Sequence, residues 1–130
     1  MSQNIIVDTC GWVAIIDSNI NFELELERIF GNYQLVLTNA VVDELYRLED
    51  TRPRGKSLLL TMLEQKSTVV DVSELSHTDD QIFRLAENRN YAVLTIDKVL
   101  KKRLYQCGMT VVEVAKSNHL RFINQYFEDD

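Results

Sequence analysis

Proline, glycine, cysteine and histidine are all scarce in this chain. Its 130 residues include one Pro, four Gly, two Cys and two His, so collagen-like, low-complexity and disulfide-stapled architectures are excluded. Cys10 and Cys107 lie far apart, with no basic and apolar leader ahead of them, and are read as reduced thiols of a cytoplasmic protein. His77 and His119 are isolated, which leaves no zinc-ligand spacing. Long apolar runs are missing too. Ile5 to Val7 and Trp12 to Ile16 are cut short by Asp8 and Asp17, far below the length of a membrane span, so no membrane partner is expected. Basic excess is absent: 14 Lys and Arg stand against 20 Asp and Glu, a net charge of −6. Such a surface repels nucleic acid as a whole, and any RNA contact must be local. Neither a G-x-x-x-x-G-K loop nor a G-x-G-x-x-G turn occurs, which removes the common nucleotide-binding routes.

What the chain has in quantity is patterned apolar sequence. With 45% hydrophobic and 26% charged residues, a single domain over residues 1–130 is expected. That length can bury roughly two thirds of the unfolded surface. Unbroken β-branched or apolar runs occur at Ile5 to Val7, Leu35 to Leu37, Val69 and Val70, Ala92 to Leu94, and Val111 and Val112. Continuous runs predict strands buried on both faces, hence a mostly parallel sheet. Helical periods fill the gaps, over residues 11–18, 23–30, 39–49, 55–66, 79–89 and 97–106, with Gly31 and Gly108 placed as stops and Pro53 between two of the helices. The alternation predicts an α/β fold, a three-layer α/β/α sandwich with right-handed crossovers. The acidic end Glu128, Asp129 and Asp130 is expected to fray.

In such a sheet, ligand sites form beyond the carboxyl ends of the strands. Asp8 and Asp97 stand there, each following an apolar run, and each is also placed to cap a helix N-terminus. Glu44 falls on the core-facing stripe of its helix with Val41, Leu45 and Leu48, where a carboxylate needs a cation or hydrogen-bond donors; a buried salt bridge to an Arg is the other reading. Asp43, one residue away, faces outward. Asp79 and Asp80 open the next helix, and Asp79 is the one three residues before Ile82 on the inward face. Ser76 with Asp79, and Thr78 with Gln81, also have capping-box spacing.

Four inward acids, Asp8, Glu44, Asp79 and Asp97, would repel one another unless compensated. Magnesium or manganese resolves the conflict, since both prefer oxygen ligands, retain water and bind phosphate oxygens. Two basic clusters, Arg52, Arg54 and Lys56, and Lys98, Lys101, Lys102 and Arg103, are solvated surface taken alone. Beside a carboxylate site they become candidate phosphate contacts.

The motifs taken together resemble the PIN-domain ribonucleases from Ile5 to about Val112. Ile6-Val7-Asp8-Thr9 is similar to the family's first strand with its Asp-Thr, although Cys10 stands where Ser or Asn is usual. Val41-Val42-Asp43-Glu44-Leu45 resembles the V-x-x-E-L helix, Asp79-Asp80-Gln81-Ile82 with Ala86 the D-D-x-I helix start, and Val93-Leu94-Thr95-Ile96-Asp97 the closing strand with its T-x-D. The resemblance implies a metal-dependent endoribonuclease whose acidic quartet is Asp8, Glu44, Asp79 and Asp97. Thr9 and Thr95 would assist near the metal or phosphate, with Asp80 as the substitute for Asp79. It further implies either a VapC-type toxin with a small antitoxin partner or an rRNA-processing nuclease; the Glu44 to Leu48 stretch followed by Arg52 to Lys56 is slightly closer to the latter. A homodimer is compatible with either.

Two rivals are kept. A response-regulator receiver also gathers carboxylates at strand ends, but Asp8 stands alone after its strand and Val111-Val112 leads to Glu113 rather than Lys. A catalytically silent module of the same fold, binding RNA or protein, is separated by a cleavage assay.

Overall fold

Ile5, Ile6 and Val7 are consecutive and all essentially inaccessible to solvent. Neighbouring residues of a strand point to opposite faces, so both faces of this strand are covered. The computed structural model, which describes residues 2–18, 20–49, 61, 64–71, 78–115 and 119–123, shows how. The strands are β1 (Gln3–Val7), β2 (Tyr33–Thr38), β3 (Ser67–Val70), β4 (Ala92–Leu94), β5 (Val111–Ala115) and β6 (His119–Phe122). The helices are α1 (Thr9–Ser18), α2 (Phe22–Phe30), α3 (Asn39–Glu49), α4 (Thr78–Arg89) and α5 (Lys98–Gln106). The sheet order is β3-β2-β1-β4-β5-β6, with β6 alone antiparallel. The mostly parallel α/β architecture therefore agrees with the expectation. The expected helix over residues 55–66, with Pro53 and Ser76, falls largely outside the described residues.

The core is built from the three central strands. Leu35, Val36 and Leu37, and Ala92, Val93 and Leu94, are buried as completely as the β1 run. Trp12 and Leu26 from the helices complete the packing, Trp12 meeting Phe22 edge to face at 5.1 Å. Gly31 and Gly108 end α2 and α5 at positive φ, as their positions predict.

Two features depart from the sequence reading. The strand β6 was not anticipated: it has four residues, of which Leu120 alone is buried, a pattern too short to stand out. Its outward-facing edge is closed by α2, where Glu25 accepts from the Leu120 amide at 2.8 Å and Arg28 donates to the Leu120 carbonyl at 2.7 Å. Leu48, counted on the buried stripe of α3, is instead 39% exposed, so that stripe ends one turn earlier, at Leu45.

The order of strands fixes where a site can form. The chain runs β1 to β2 to β3 on one side of β1 and then crosses to β4 and β5 on the other. Helices after β1 and β4 therefore leave in opposite directions, and a crevice opens between the carboxyl ends of these two strands.

Candidate active site

At that crevice β1 and β4 are in register, Val7 beside Leu94, so the next residues, Asp8 and Thr95, come level. Asp8 is 4% exposed and begins α1 as its cap. Its Oδ1 accepts from the Gly11 amide at 2.7 Å, and its Oδ2 from the Thr95 hydroxyl at 2.6 Å. The Cys10 thiol lies 3.2 Å from both oxygens. Thr95 also accepts from the Asp97 amide at 3.1 Å, so its only proton goes to Asp8 and the hydroxyl ties the two acids together. Asp97 caps α5 through Oδ1, which accepts from the Leu100 amide at 2.9 Å. Both acids are thus caps, as one reading had it, and both still face the crevice. Capping uses one oxygen and leaves lone pairs on the other.

Glu44 comes from α3, half-buried. Its Oε1 accepts from the hydroxyl of Thr78, the first residue of α4, at 2.8 Å. Asp79 follows directly; it is exposed, and not on a buried inward face as its spacing from Ile82 suggested. A cavity of about 170 Å³ is lined by Asp8, Thr9, Cys10, Glu44, Thr78, Asp79 and Asp97. Asp80 is turned aside to Arg103 at 2.8 Å, and that guanidinium lies 4.0 Å above the Phe83 ring. Asp71, after β3, is exposed and does not line the cavity.

A second, larger cavity of about 730 Å³ lies at the opposite edge of the sheet, among Phe22, Glu23, Glu27, Tyr33 and Lys66. None of the four acids reaches it.

The electrostatics of the crevice follow from burial and like charge. Burial pushes the Asp8 carboxyl above its ordinary value; the donors Thr95, Gly11 and Cys10 pull the other way without cancelling it, and Asp79 adds repulsion. Asp79 is also raised, by partial desolvation first and then by Asp97, Asp80 and Glu44. The Cys10 thiol is pushed up by burial and by Asp8, so it stays a protonated donor.

A family model described as a PIN like domain matches residues 5–117. This chain belongs to the PIN-like domain family. It is 29% identical over 121 residues to a protein named Ribonuclease VapC4 from Methanocaldococcus jannaschii, covering 88% of this chain and 92% of that one. Its structure is similar to that of the PIN domain endonuclease Utp24, with a TM-score of 0.74 and 21% identity over 94% of this chain and 92% of the other. It is also similar to a protein from Pyrobaculum aerophilum, with a TM-score of 0.58 and 15% identity over 79% and 87% of the two chains. At those identities the structural likeness speaks to the PIN fold alone.

The donor set of this PIN domain suits a hard divalent cation. It consists of carboxylates and hydroxyls, Asp79 is held at a raised value partly by its acidic neighbours, and the buried Thr9 hydroxyl lacks a hydrogen-bond partner among the described residues. Among the described residues no three of His, Cys, Asp and Glu are close enough to hold one ion directly. A cavity of about 170 Å³ has room for several waters at roughly 30 Å³ each, the manner in which magnesium is usually retained.

The basic residues are placed unevenly. Lys98 is exposed, immediately after Asp97. Lys101 turns to Glu113 at 2.8 Å and is only 14% exposed, and Arg103 is engaged with Asp80. Arg52, Arg54 and Lys56 lie outside the described residues. Sequence reasoning passed over two contributors: Thr78, weighed only as a cap, and Gly11, whose sole signal is a glycine in the first turn of a helix.

Proposed function

We propose that this chain is a metal-dependent endoribonuclease that uses Asp8, Glu44, Asp79 and Asp97 to hydrolyse RNA phosphodiesters. The carrying observation is that four acids from four separate elements line one cavity at the switch point of the sheet. The relative named as a ribonuclease supports the same reading.

Magnesium or manganese, when bound, would neutralise the carboxylates, draw in a phosphate and acidify water for attack on phosphorus. Asp8 and Asp97 would hold it from the β1 and β4 side, and Glu44 and Asp79 from the α3 and α4 side. Thr95 keeps Asp8 and Asp97 at fixed separation, and the orphaned Thr9 hydroxyl is free to donate to a phosphate oxygen. The net charge of −6 repels RNA at large, so flanking phosphates would be met locally by the Lys98, Lys101, Lys102 and Arg103 cluster and the segment Arg52 to Lys56. The chain would act as a VapC-type toxin restrained by a small antitoxin, or as an rRNA-processing enzyme.

The test is cleavage of single-stranded and looped RNA with magnesium or manganese against a chelator control. The expected products carry 5′-phosphate and 3′-hydroxyl ends, and Asp97→Asn abolishes cutting while leaving RNA binding largely intact. Cleavage that survives chelation, or 2′,3′-cyclic phosphate ends, would refute the mechanism. Binding without cleavage would instead identify the silent module.

A further inference from the structure

The acids of this half of the molecule fall into two groups by the partners they keep. Asp80 pairs with Arg103, and Glu113 with Lys101 and Arg121, each through a cation at 2.8 Å. Asp8, Asp97 and Glu44 instead accept from neutral donors: Thr95 and Gly11 for the first, the Leu100 amide for the second, the Thr78 hydroxyl for the third. A cationic partner fixes a carboxylate and cancels its charge. A neutral donor fixes it and leaves the charge for something else.

Thr78 is the least expected of these donors. It sits 34 residues from Glu44, on a different helix, and its bond to Oε1 is the described hydrogen bond joining α3 to α4 beside the cavity. Without it a half-buried glutamate would sample several rotamers. With it, Oε1 is anchored beside the cavity that Glu44 lines. Because Asp79 follows Thr78 directly, the same contact fixes where the first turn of α4 presents that second acid. The methyl of Thr restricts χ1 and keeps the hydroxyl aimed.

We propose that Thr78 is a positioning residue, a latch that holds Glu44 and the start of α4 in the geometry needed to bind a divalent cation. The proposal rests on the nuclease reading above. Three proteins test it: wild type, Thr78→Val, which keeps the shape and loses the hydroxyl, and Thr78→Ser, which keeps the hydroxyl. Manganese affinity, read by calorimetry on the chain without RNA, should weaken about tenfold or more in Thr78→Val and stay within about threefold of wild type in Thr78→Ser. In RNA cleavage kcat should fall in Thr78→Val with KM unchanged. In chelator the Tm changes of Thr78→Val and Glu44→Leu should not add in the double variant, because each removes the same hydrogen bond. Equal manganese affinity in wild type and Thr78→Val overturns the latch alone, as does an additive double variant or a Thr78→Ser that is as weak as Thr78→Val. A wild type that binds no manganese overturns the nuclease reading and the latch with it.

Discussion

Replacing Gly11 by Ala tests how tightly the first turn of α1 is pressed onto the end of β4. A methyl there would stand 2.7 Å from the Leu94 carbonyl oxygen, 2.9 Å from Leu94 Cδ2 and 3.0 Å from Asp8 Oδ1. The side-chain carbon can yield, but the carbonyl cannot: it accepts from the Asp8 amide at 3.2 Å and belongs to a strand buried on both faces. The contact is about 0.7 Å short of the 3.4 Å at which ordinary van der Waals contact begins. Overpacking of this kind costs about 1–3 kcal/mol. Against it, Ala gains up to about 1 kcal/mol over Gly in a helix, less in a first turn. The balance is a destabilisation of about 1–2 kcal/mol, or roughly 4–8 °C in Tm for a chain of this size.

Activity should suffer more than stability. The gap opens by moving α1 away from β4, and α1 carries the amide that holds Asp8 Oδ1. A displacement of that order at a reacting centre costs about a hundredfold in rate. Thermal unfolding in chelator, followed by RNA cleavage at saturating metal, measures the two effects on one preparation. The Gly11→Ala, Leu94→Val double variant removes Cδ2 but not the carbonyl, and should recover little. A Gly11→Ala protein that melts at or above wild type and cuts normally would show that helix propensity outweighs the contact, and the close approach would be refuted.

Asp8→Asn should melt at or above wild type in chelator at pH 7, and lose most of the Tm increase that manganese gives. Because burial raises the Asp8 carboxyl in the folded chain, the native state binds its proton more tightly, and wild-type stability falls as pH rises through the folded value. The difference between variant and wild type should therefore shrink as pH is lowered towards 4; a constant difference would argue against it. Glu113→Gln should cost about 1–2 kcal/mol, since the Lys101 ammonium, 14% exposed, loses its anionic partner. Burial acts to raise Glu113, but Lys101 and Arg121 overcome it and hold the group low. That contribution is present at neutral pH and is lost as pH falls through the folded value, so a urea series from pH 7 downward should show the penalty shrinking below the ordinary carboxylate range. Arg28→Ala combined with Glu25→Ala exposes the Leu120 amide and carbonyl on the edge of β6, and sedimentation should show concentration-dependent association that wild type lacks.

What could be read in the sequence was set by how local each determinant is. Ile5 to Val7 and Ala92 to Leu94 announce central strands because burial on both faces requires unbroken apolar residues. Once they are placed, Asp8 and Asp97 are fixed at the strand ends by adjacency, and Glu44 is turned towards the crevice by its spacing from Val41 and Leu45. The strand β6 was not legible, since four residues with one buried side chain carry little pattern. The separation of Asp79 from Asp80 was legible only in part. Spacing favours Asp79, but what turns Asp80 away is Arg103, 23 residues further along and on another helix. Thr78 and Glu44 are likewise joined by a contact that no local window contains.

The sign of the charge environment is the least local property of all, and it separates the acids of the crevice most sharply from the ion-paired acids elsewhere. Glu113 is partly buried and Asp79 is exposed at the cavity it lines, yet desolvation acts to raise both. Glu113 ends low because Lys101 and Arg121 converge on it. Asp79 ends high because its neighbours are Asp97, Asp80 and Glu44, with Arg103 too committed to Asp80 to offset them. Asp8 ends high in spite of three neutral donors. A fold selected for stability alone would place a cation beside such groups or replace them with apolar residues. Instead this PIN domain holds its acids in place with hydroxyls and amides, which supply geometry without neutralisation. On the nuclease reading proposed above, a cation from solution would relieve the repulsion so retained. The arrangement that would leave the metal-free chain less stable at neutral pH is then also the one that would draw a cation into the crevice.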